Sequence, residues 1–440
     1  MSQHATESGS ASDANLALLG GPTAVTTEDE ELFHWPIVTE EDEQAILDVL
    51  HDGSMSGTDI TEQFESEFAE WQGTEYALGY CNGTAALHGA MYGAGVGVGD
   101  EVIGPSVTYW AAMLPCLSLG ATPVFADIER ETLCVDPESV AEKVSDDTKA
   151  IVVVHNYGHP ADMDAIMEIA AEHDVAVIED VSHAHGAYYK GQKLGTIGDV
   201  GAMSMMAGKS FAIGEGGMLT TDDREIYERA VAFGHYKRHR KVLNDPELEP
   251  FGGLPFGGYK HRMHQMSSAV GRVQLKHYDA RVEEIQQAMN YFWELLEDVP
   301  GIQRHHPDDE NSTMGGWYSP KGLYYPEELG GLPISTFAEA VRAEGSSCSP
   351  GCNYALHTHP MLQEKDIYGH GKPTRIAHTN RDVRDAEGDL PVAEGIQELC
   401  CGIPWFKHYN PDVIEQHAAA FEKVASHANE LLETAEPADD

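Results

Sequence analysis

Lys149-Ala150-Ile151-Val152-Val153-Val154-His155 and Val175-Ala176-Val177-Ile178-Glu179-Asp180 are short apolar runs that each end in ionisable residues. Consecutive β-branched residues without polar alternation predict strands buried on both faces. Between them, Ala161–Glu172 carries apolar residues at helical spacing. Strand, helix, strand in that order predicts a parallel pair joined by a crossover helix. The unit recurs upstream. Tyr76–Cys81, Glu101–Ile103 and Thr122–Asp127 read as strands. Gly83–Tyr92, Thr108–Leu119 (stopped by Gly120) and a segment capped by Asp136 and running to Val144 read as helices. Downstream, Gly201–Met205 and Gly217–Thr221 read as strands and Asp223–Phe233 as a helix. The expected fold is α/β, a mostly parallel seven-stranded sheet with helices on both faces.

A long helical stretch from His264 to Val299 closes this region. Residues 31–299 are expected to form the large domain and 300–432 a smaller C-terminal α+β domain, interrupted by Gly, Pro and Thr. Residues 1–30 and 433–440, acidic and poor in apolar residues, read as disordered tails. The glycines of Gly93–Gly99 follow a helix and precede a strand. A dinucleotide-binding turn needs the opposite order, so the stretch reads as a loop.

Composition narrows the function. The chain has 440 residues, with 27 Lys+Arg against 73 Asp+Glu, for a net charge of −46. Such a surface repels nucleic acid and anionic membranes, and the one basic run, Lys237–Lys241, is short. Because 42% of residues are hydrophobic, the acidity reads as the hydrated surface of a folded, halophilic protein, not as disorder. No basic leader and no apolar run of membrane-spanning length is present, so a cytoplasmic protein is expected. Seven cysteines make no disulfide framework. Cys348 and Cys352 near His357 and His359 fit no zinc spacing, so no metal is expected, and Cys400-Cys401 reads as core.

Four segments carry chemistry. Asn82-Gly83-Thr84-Ala85-Ala86 sits where a strand turns into a helix, and unpaired N–H groups there attract an anion. Asp180 ends a buried strand, at the edge where open α/β sheets bind ligands. It is a metal ligand, a helix cap, or the partner of a protonated ring nitrogen. Lys209 lies between Ser204 and the glycine-rich turn Gly214-Glu215-Gly216-Gly217; in a lysine-poor chain, apolar neighbours Met206, Ala207 and Phe211 argue against a merely solvated role. Tyr109 and Trp110 follow a strand and serve as core or as a stacking platform. Phosphate site, ring-nitrogen carboxylate, aromatic and lysine together describe a pyridoxal phosphate (PLP) site.

The combination resembles the DegT/DnrJ/EryC1/StrS family of fold-type I PLP-dependent sugar aminotransferases, from about Trp35 to Val424. The matching motifs are His34-Trp35-Pro36, Gly53–Gly57, Asn82–His88, Gly99–Ser106, His155–Asp162, Glu179–Gly186, Gly214–Gly217, Tyr259–Met263 and His357–Pro360. The resemblance implies that Lys209 is the Schiff-base lysine and proton shuttle, and Asp180 the pyridinium partner. It implies that His183 contacts the ring region and Tyr109 stacks on the ring, Trp110 lying one register off. Thr84, Ala85 and Ser204 would contact the phosphate. It further implies a homodimer with shared sites, in which Lys260 stands where the family has an Asn that reaches the partner's phosphate. Ser54, Met55 and Ser56, with His357 and His359, would approach substrate. The implied reaction moves an amino group from glutamate or glutamine to a keto-sugar, nucleotide-linked, or to a keto-cyclitol. Alternatives on this scaffold are a sugar dehydratase or epimerase and a non-catalytic regulatory protein; a lysine at 209, where dehydratases of the family have histidine, argues for transamination.

Overall fold

The computed structural model describes residues 16–434. The large domain is a seven-stranded sheet. Its strands are β1 (Tyr76–Tyr80), β2 (Glu101–Pro105), β3 (Thr122–Ala126), β4 (Thr148–Val154), β5 (Ala176–Asp180), β6 (Val200–Ser204) and β7 (Gly217–Thr221). They lie in the order β1-β7-β6-β5-β4-β2-β3. All neighbours are parallel except those of β7, which runs antiparallel to β1 and β6. The two-residue periodicity of the strands sorts their side chains between two cores. Val102, Ala150, Val152 and Ile178 join one, with α3 (Gly83–Gly93) above them. Ile103, Ile151, Val153 and Val177 join the other, with Ile166 of the helix Met163–His173. Both faces are therefore covered, which is why the strands read as unbroken apolar runs.

Asp136, Asp162 and Asp223 each accept a hydrogen bond from the first turn of the helix they precede, a capping contribution of about 1 kcal/mol each. The expected helix Thr108–Leu119 does not form as one piece. It is a 3₁₀ turn at Trp110–Ala112 and a single α-turn at Pro115–Ser118, because Pro115 has no N–H with which to continue the hydrogen-bond ladder. This break leaves Tyr109 and Trp110 partly exposed beside the carboxyl edge of the sheet.

The long helix Gln265–Leu295 leads into the smaller domain. There β8 (Ile302–Arg304), β9 (Lys321–Tyr324), β10 (Ser349–Pro350) and β11 (Cys400–Gly402) form an antiparallel sheet in the order β8-β9-β11-β10. It packs with the helices Ile334–Ala343 and Pro411–Ser426. Residues 16–30, expected as part of a disordered tail, include a segment packed on the small domain. From Leu16 the chain is docked on the small domain. Glu344, fully buried, accepts from the N–H groups of Ala17 (2.7 Å) and Ala24 (2.9 Å) and from Lys423 (2.7 Å). Leu16 and Leu32 enter the small-domain core. Apolar anchors spaced along a polar segment, and a carboxylate far away in sequence, supply what local composition does not show. The tail expectations for residues 1–15 and 435–440 lie outside the described residues.

Candidate active site

Strands β4, β5 and β6 end side by side, with Val154 opposite Asp180 and Asp180 opposite Ala202. Their carboxyl ends and the start of α3 line a cavity of about 410 Å³, a size ordinary for a small-molecule site. Thr84, Tyr109, Asp180, His183, Ser204 and Lys209 all border it. Tyr157, Tyr318, Ser319 and Asn353 also border it; the sequence reading did not single these out.

Two carboxylates at the end of β5 have opposite fates. Glu179 is fully buried and saturated. It accepts from the N–H groups of Gly195, Ile197 and Gly198 (2.7–2.8 Å) and meets His155 at 3.1 Å. Burial pushes its carboxyl up, but His155 and the backbone donors outweigh that and hold it below the usual range. Asp180 is buried too, yet its partners are only the N–H (3.0 Å) and hydroxyl of Ser182. Burial raises its pKa; Ser182 and the more distant Lys209 offset this only in part. A buried carboxylate without a paired cation is costly. It fits a ligand that brings its own positive charge.

Lys209 is 8% exposed, and burial pulls its amine down to about 8, with Asp180 pulling the other way. Its Nζ stands 4.0 Å from the centroid of the Tyr318 ring. Tyr318 lies between Trp317 (φ 53°) and Ser319 (φ 50°). Left-handed conformations at two non-glycine residues are strained and persist only where packing enforces them. Here they aim the ring at Lys209 and set it 4.7 Å from the His183 ring.

His183 Nδ1 accepts the Tyr157 N–H (3.3 Å), and the two rings stack at 5.5 Å. Burial, then the charges of Lys209, His185 and Lys321, keep this imidazole neutral, well below the ordinary value. With Nδ1 accepting, the single ring proton sits on Nε2.

At the start of α3, Asn82 Oδ1 accepts from Ala85 N–H (2.8 Å). The N–H groups of Gly83 and Thr84 have no partner within the helix and join the hydroxyls of Thr84 and Ser204 as anion donors. Gly83 permits this convergence: a Cβ there would fall 2.4 Å from Ser204 Cβ.

Other expected site residues stand elsewhere. Ala85 is buried with its N–H used by Asn82, so it does not supply the expected phosphate contact. His357 is fully buried between Ser106 (2.6 Å) and Glu394 (3.2 Å), a packing role and not a substrate contact. His359 is exposed and accepts from Met361 N–H, capping the short helix it precedes. Ser56 accepts from Arg262 and Ser54 from Gln265; Met55 is exposed. None of the three borders this chain's cavity, and neither does Lys260. No group of three or more His, Cys, Asp or Glu able to hold a metal occurs among the described residues.

Residues 36–422 match the profile of the DegT/DnrJ/EryC1/StrS aminotransferase family. The chain belongs to that family. It is a PLP-dependent transaminase on a fold-type I scaffold. L-glutamine:scyllo-inosose aminotransferase of Streptomyces griseus is 31% identical over 436 residues, covering 95% of this chain and 99% of the relative. Spore coat polysaccharide biosynthesis protein SpsC of Bacillus subtilis is 29% identical over 399 residues, covering 90% and 97%. The X-ray structure of the aminotransferase from Psychrobacter cryohalolentis superposes with a TM-score of 0.78 at 28% identity, over 90% of this chain and 100% of that one. The residues present in the aminotransferase cavity fit PLP. A carboxylate lacking a cation, a lysine with a depressed pKa and an anion cradle lie around one space.

Proposed function

We propose that the enzyme transfers an amino group from glutamate or glutamine to the keto group of a sugar or cyclitol ring. The observation that carries this reading is the presence of Lys209 and the cation-free Asp180 on one cavity whose remaining wall is aromatic and hydroxyl-rich. When bound, PLP supplies an electrophilic carbon for the amino group and an electron sink for the charge left by a departing proton. Asp180 would keep a proton on the ring nitrogen by its charge. Thr84, Ser204 and the first turn of α3 would hold the phosphate. Tyr109 would cover one face of the ring, and His183 would donate from Nε2. Lys209, its amine drawn down to about 8 by burial, would take the proton from the substrate carbon and return it, as general base and then acid.

A nucleotide-linked keto-sugar is the reading for the acceptor. A keto-cyclitol with glutamine as donor is the second, supported by the near-full-length similarity to the Streptomyces griseus enzyme. Exposed Tyr109 at the cavity edge, with exposed Trp110 next to it, and Lys260 lying outside the cavity, support a homodimer in which each chain completes its partner's site. The proposed setting is a high-salt cytoplasm, consistent with the net charge; among the described residues no helix is long and apolar enough to cross a membrane.

The test incubates the PLP-loaded enzyme with amino-¹⁵N glutamine or glutamate and a panel of keto-sugars and keto-inositols. Label is expected in the ring product by mass spectrometry. Release of labelled ammonia, with loss of a ring hydroxyl and no label in the ring product, would replace this reading with dehydration.

A further inference from the structure

Four of the seven cysteines meet across the short strand pair β10/β11, in two pairs on opposite faces of the small sheet. Ser349 pairs with Gly402 and Pro350 with Cys401. In that register Cys348 and Cys401 share one face, and both lie in the small-domain core. A regular continuation would send Cys352 to the same face. Gly351 prevents this. Its φ of 73° ends the strand, its N–H still bonds Cys400 O at 2.8 Å, and the next residue swings to the other side. There the Cys352 thiol meets the Cys400 thiol, on the face turned to the large domain.

The surroundings of this second pair differ from those of the first. Lys321, buried on β9 and bonded to Gly351 O (3.1 Å), places its ammonium nearby. Gln397 Nε2 lies 3.8 Å from Cys352 Sγ. The Tyr157 hydroxyl contacts Cys352 and accepts from Asn353 N–H at 2.9 Å. Cys352 is only half-buried, whereas Cys400 is fully enclosed. The neighbouring Cys400 thiol, with Lys321, Tyr157 and Gln397, draws the Cys352 thiol below its usual value despite burial; Cys400, whose S–H bonds Ile396 O at 3.4 Å, is pushed up. A partly exposed thiol with a cation close by, beside a second and enclosed thiol, is the arrangement that oxidation selects.

We propose that Cys352 and Cys400 are a peroxide-reactive dithiol whose closure to a disulfide is transmitted to the cofactor cavity through Tyr157. The Cys352 thiolate attacks a peroxide oxygen. The O–O bond breaks, hydroxide or alkoxide leaves, and a sulfenic acid forms on Cys352. Cys400 sulfur then attacks the Cys352 sulfur, the S–O bond breaks, and hydroxide leaves to combine with the Cys400 proton. Two thiols lose two electrons and the peroxide gains them. Oxidation takes from Tyr157 the thiol that its hydroxyl meets. Tyr157 stacks on His183 and fixes its tautomer, and Asn353, the next residue along, borders the cavity. The transmission step rests on the cavity being the PLP site; the disulfide itself does not.

The full-length enzyme is treated with hydrogen peroxide, free thiols are blocked, and non-reducing peptide maps are compared by mass spectrometry. PLP affinity is titrated by absorbance before and after. The expected result is a Cys352–Cys400 linked peptide and about a tenfold rise in the PLP dissociation constant, both reversed by a thiol reductant. Cys352→Ser and Cys400→Ala should each abolish the link and the affinity change, while Cys348→Ser leaves them intact. A map in which neither thiol is linked, a link confined to Cys348–Cys401, or a Cys352–Cys400 link with unchanged PLP affinity would overturn the proposal.

Discussion

Asp180→Asn should change stability and function in opposite directions. The side chain is 5% exposed, its only partners are the N–H and hydroxyl of Ser182, and its pKa is raised by burial. The Asn side-chain oxygen can still accept from Ser182 N–H, so the local turn should survive. What disappears is a buried charge that Ser182 and the more distant Lys209 offset only in part. Leaving one buried polar group uncompensated costs about 1–3 kcal/mol, so the cofactor-free variant should be more stable by that order. The pH dependence fixes the sign. A folded pKa above the unfolded one means that the folded state keeps the proton longer as pH rises. The stability this confers is complete in acid and is lost as pH climbs through the folded pKa. The wild-type penalty is therefore full near neutral pH and absent below the ordinary carboxylate range, and the gain from Asn should follow the same course. With PLP bound, the variant has no charge to keep the ring nitrogen protonated, and turnover should fall by about 100-fold or more. Urea unfolding of cofactor-free protein near pH 7 and near pH 4, with turnover of the loaded enzyme, gives both readings. An apo variant less stable than wild type near pH 7 would show that Asp180 is chiefly a cap for the Ser182 turn, and the reasoning would fail.

In cofactor-free protein, modification of Lys209 by cyanate, followed by mass spectrometry, should show a midpoint near pH 8, matching its depressed amine at about 8; Tyr318→Leu, which removes a cation–π partner worth about 0.5–2 kcal/mol, should lower it further. Lys407 is buried beside the Trp405 ring, 3.0 Å from its centroid, with no carboxylate partner among the described residues, and burial takes its amine down to about 6. Because the folded pKa is depressed, stability rises with pH from about 6 towards the unfolded value of about 10.4. Lys407→Met should therefore stabilise by several kcal/mol below pH 6 and by less towards pH 9, read from urea midpoints across that range. Glu344→Ala should release the docked N-terminal segment, weaken the protein by about 2–4 kcal/mol, and expose residues 16–27 to limited proteolysis.

Strands covered on both faces leave no alternation to misread, which is why β1 to β7 were legible in the sequence along with the residues at their carboxyl ends. Asp180, Ser204 and Lys209 could be placed because each follows an apolar run or precedes a glycine turn. The other wall of the cavity was not legible. Tyr318 and Asn353 come from the small domain, far from the sheet in sequence, and reach the cavity only through tertiary packing. The strained backbone around Tyr318 leaves no mark on composition, since Trp317 and Ser319 are not residues that favour left-handed φ. A faint signal existed for Tyr157, two residues beyond the end of a buried strand within a motif already matched to the family. His357 misled for the converse reason. Family position placed it near substrate, while Ser106 and Glu394, which decide its role, are remote in sequence. Pro115 splitting the expected helix was readable and was outweighed by the apolar pattern around it.

The most direct test of the site is borohydride reduction of the PLP-loaded enzyme followed by peptide mapping, which fixes the cofactor to the lysine that holds it. The phosphopyridoxyl mass should appear on Lys209 alone, and Lys209→Ala should yield no tagged peptide. A tag on Lys260, Lys321 or any other lysine in the wild-type enzyme would contradict this placement of the active site.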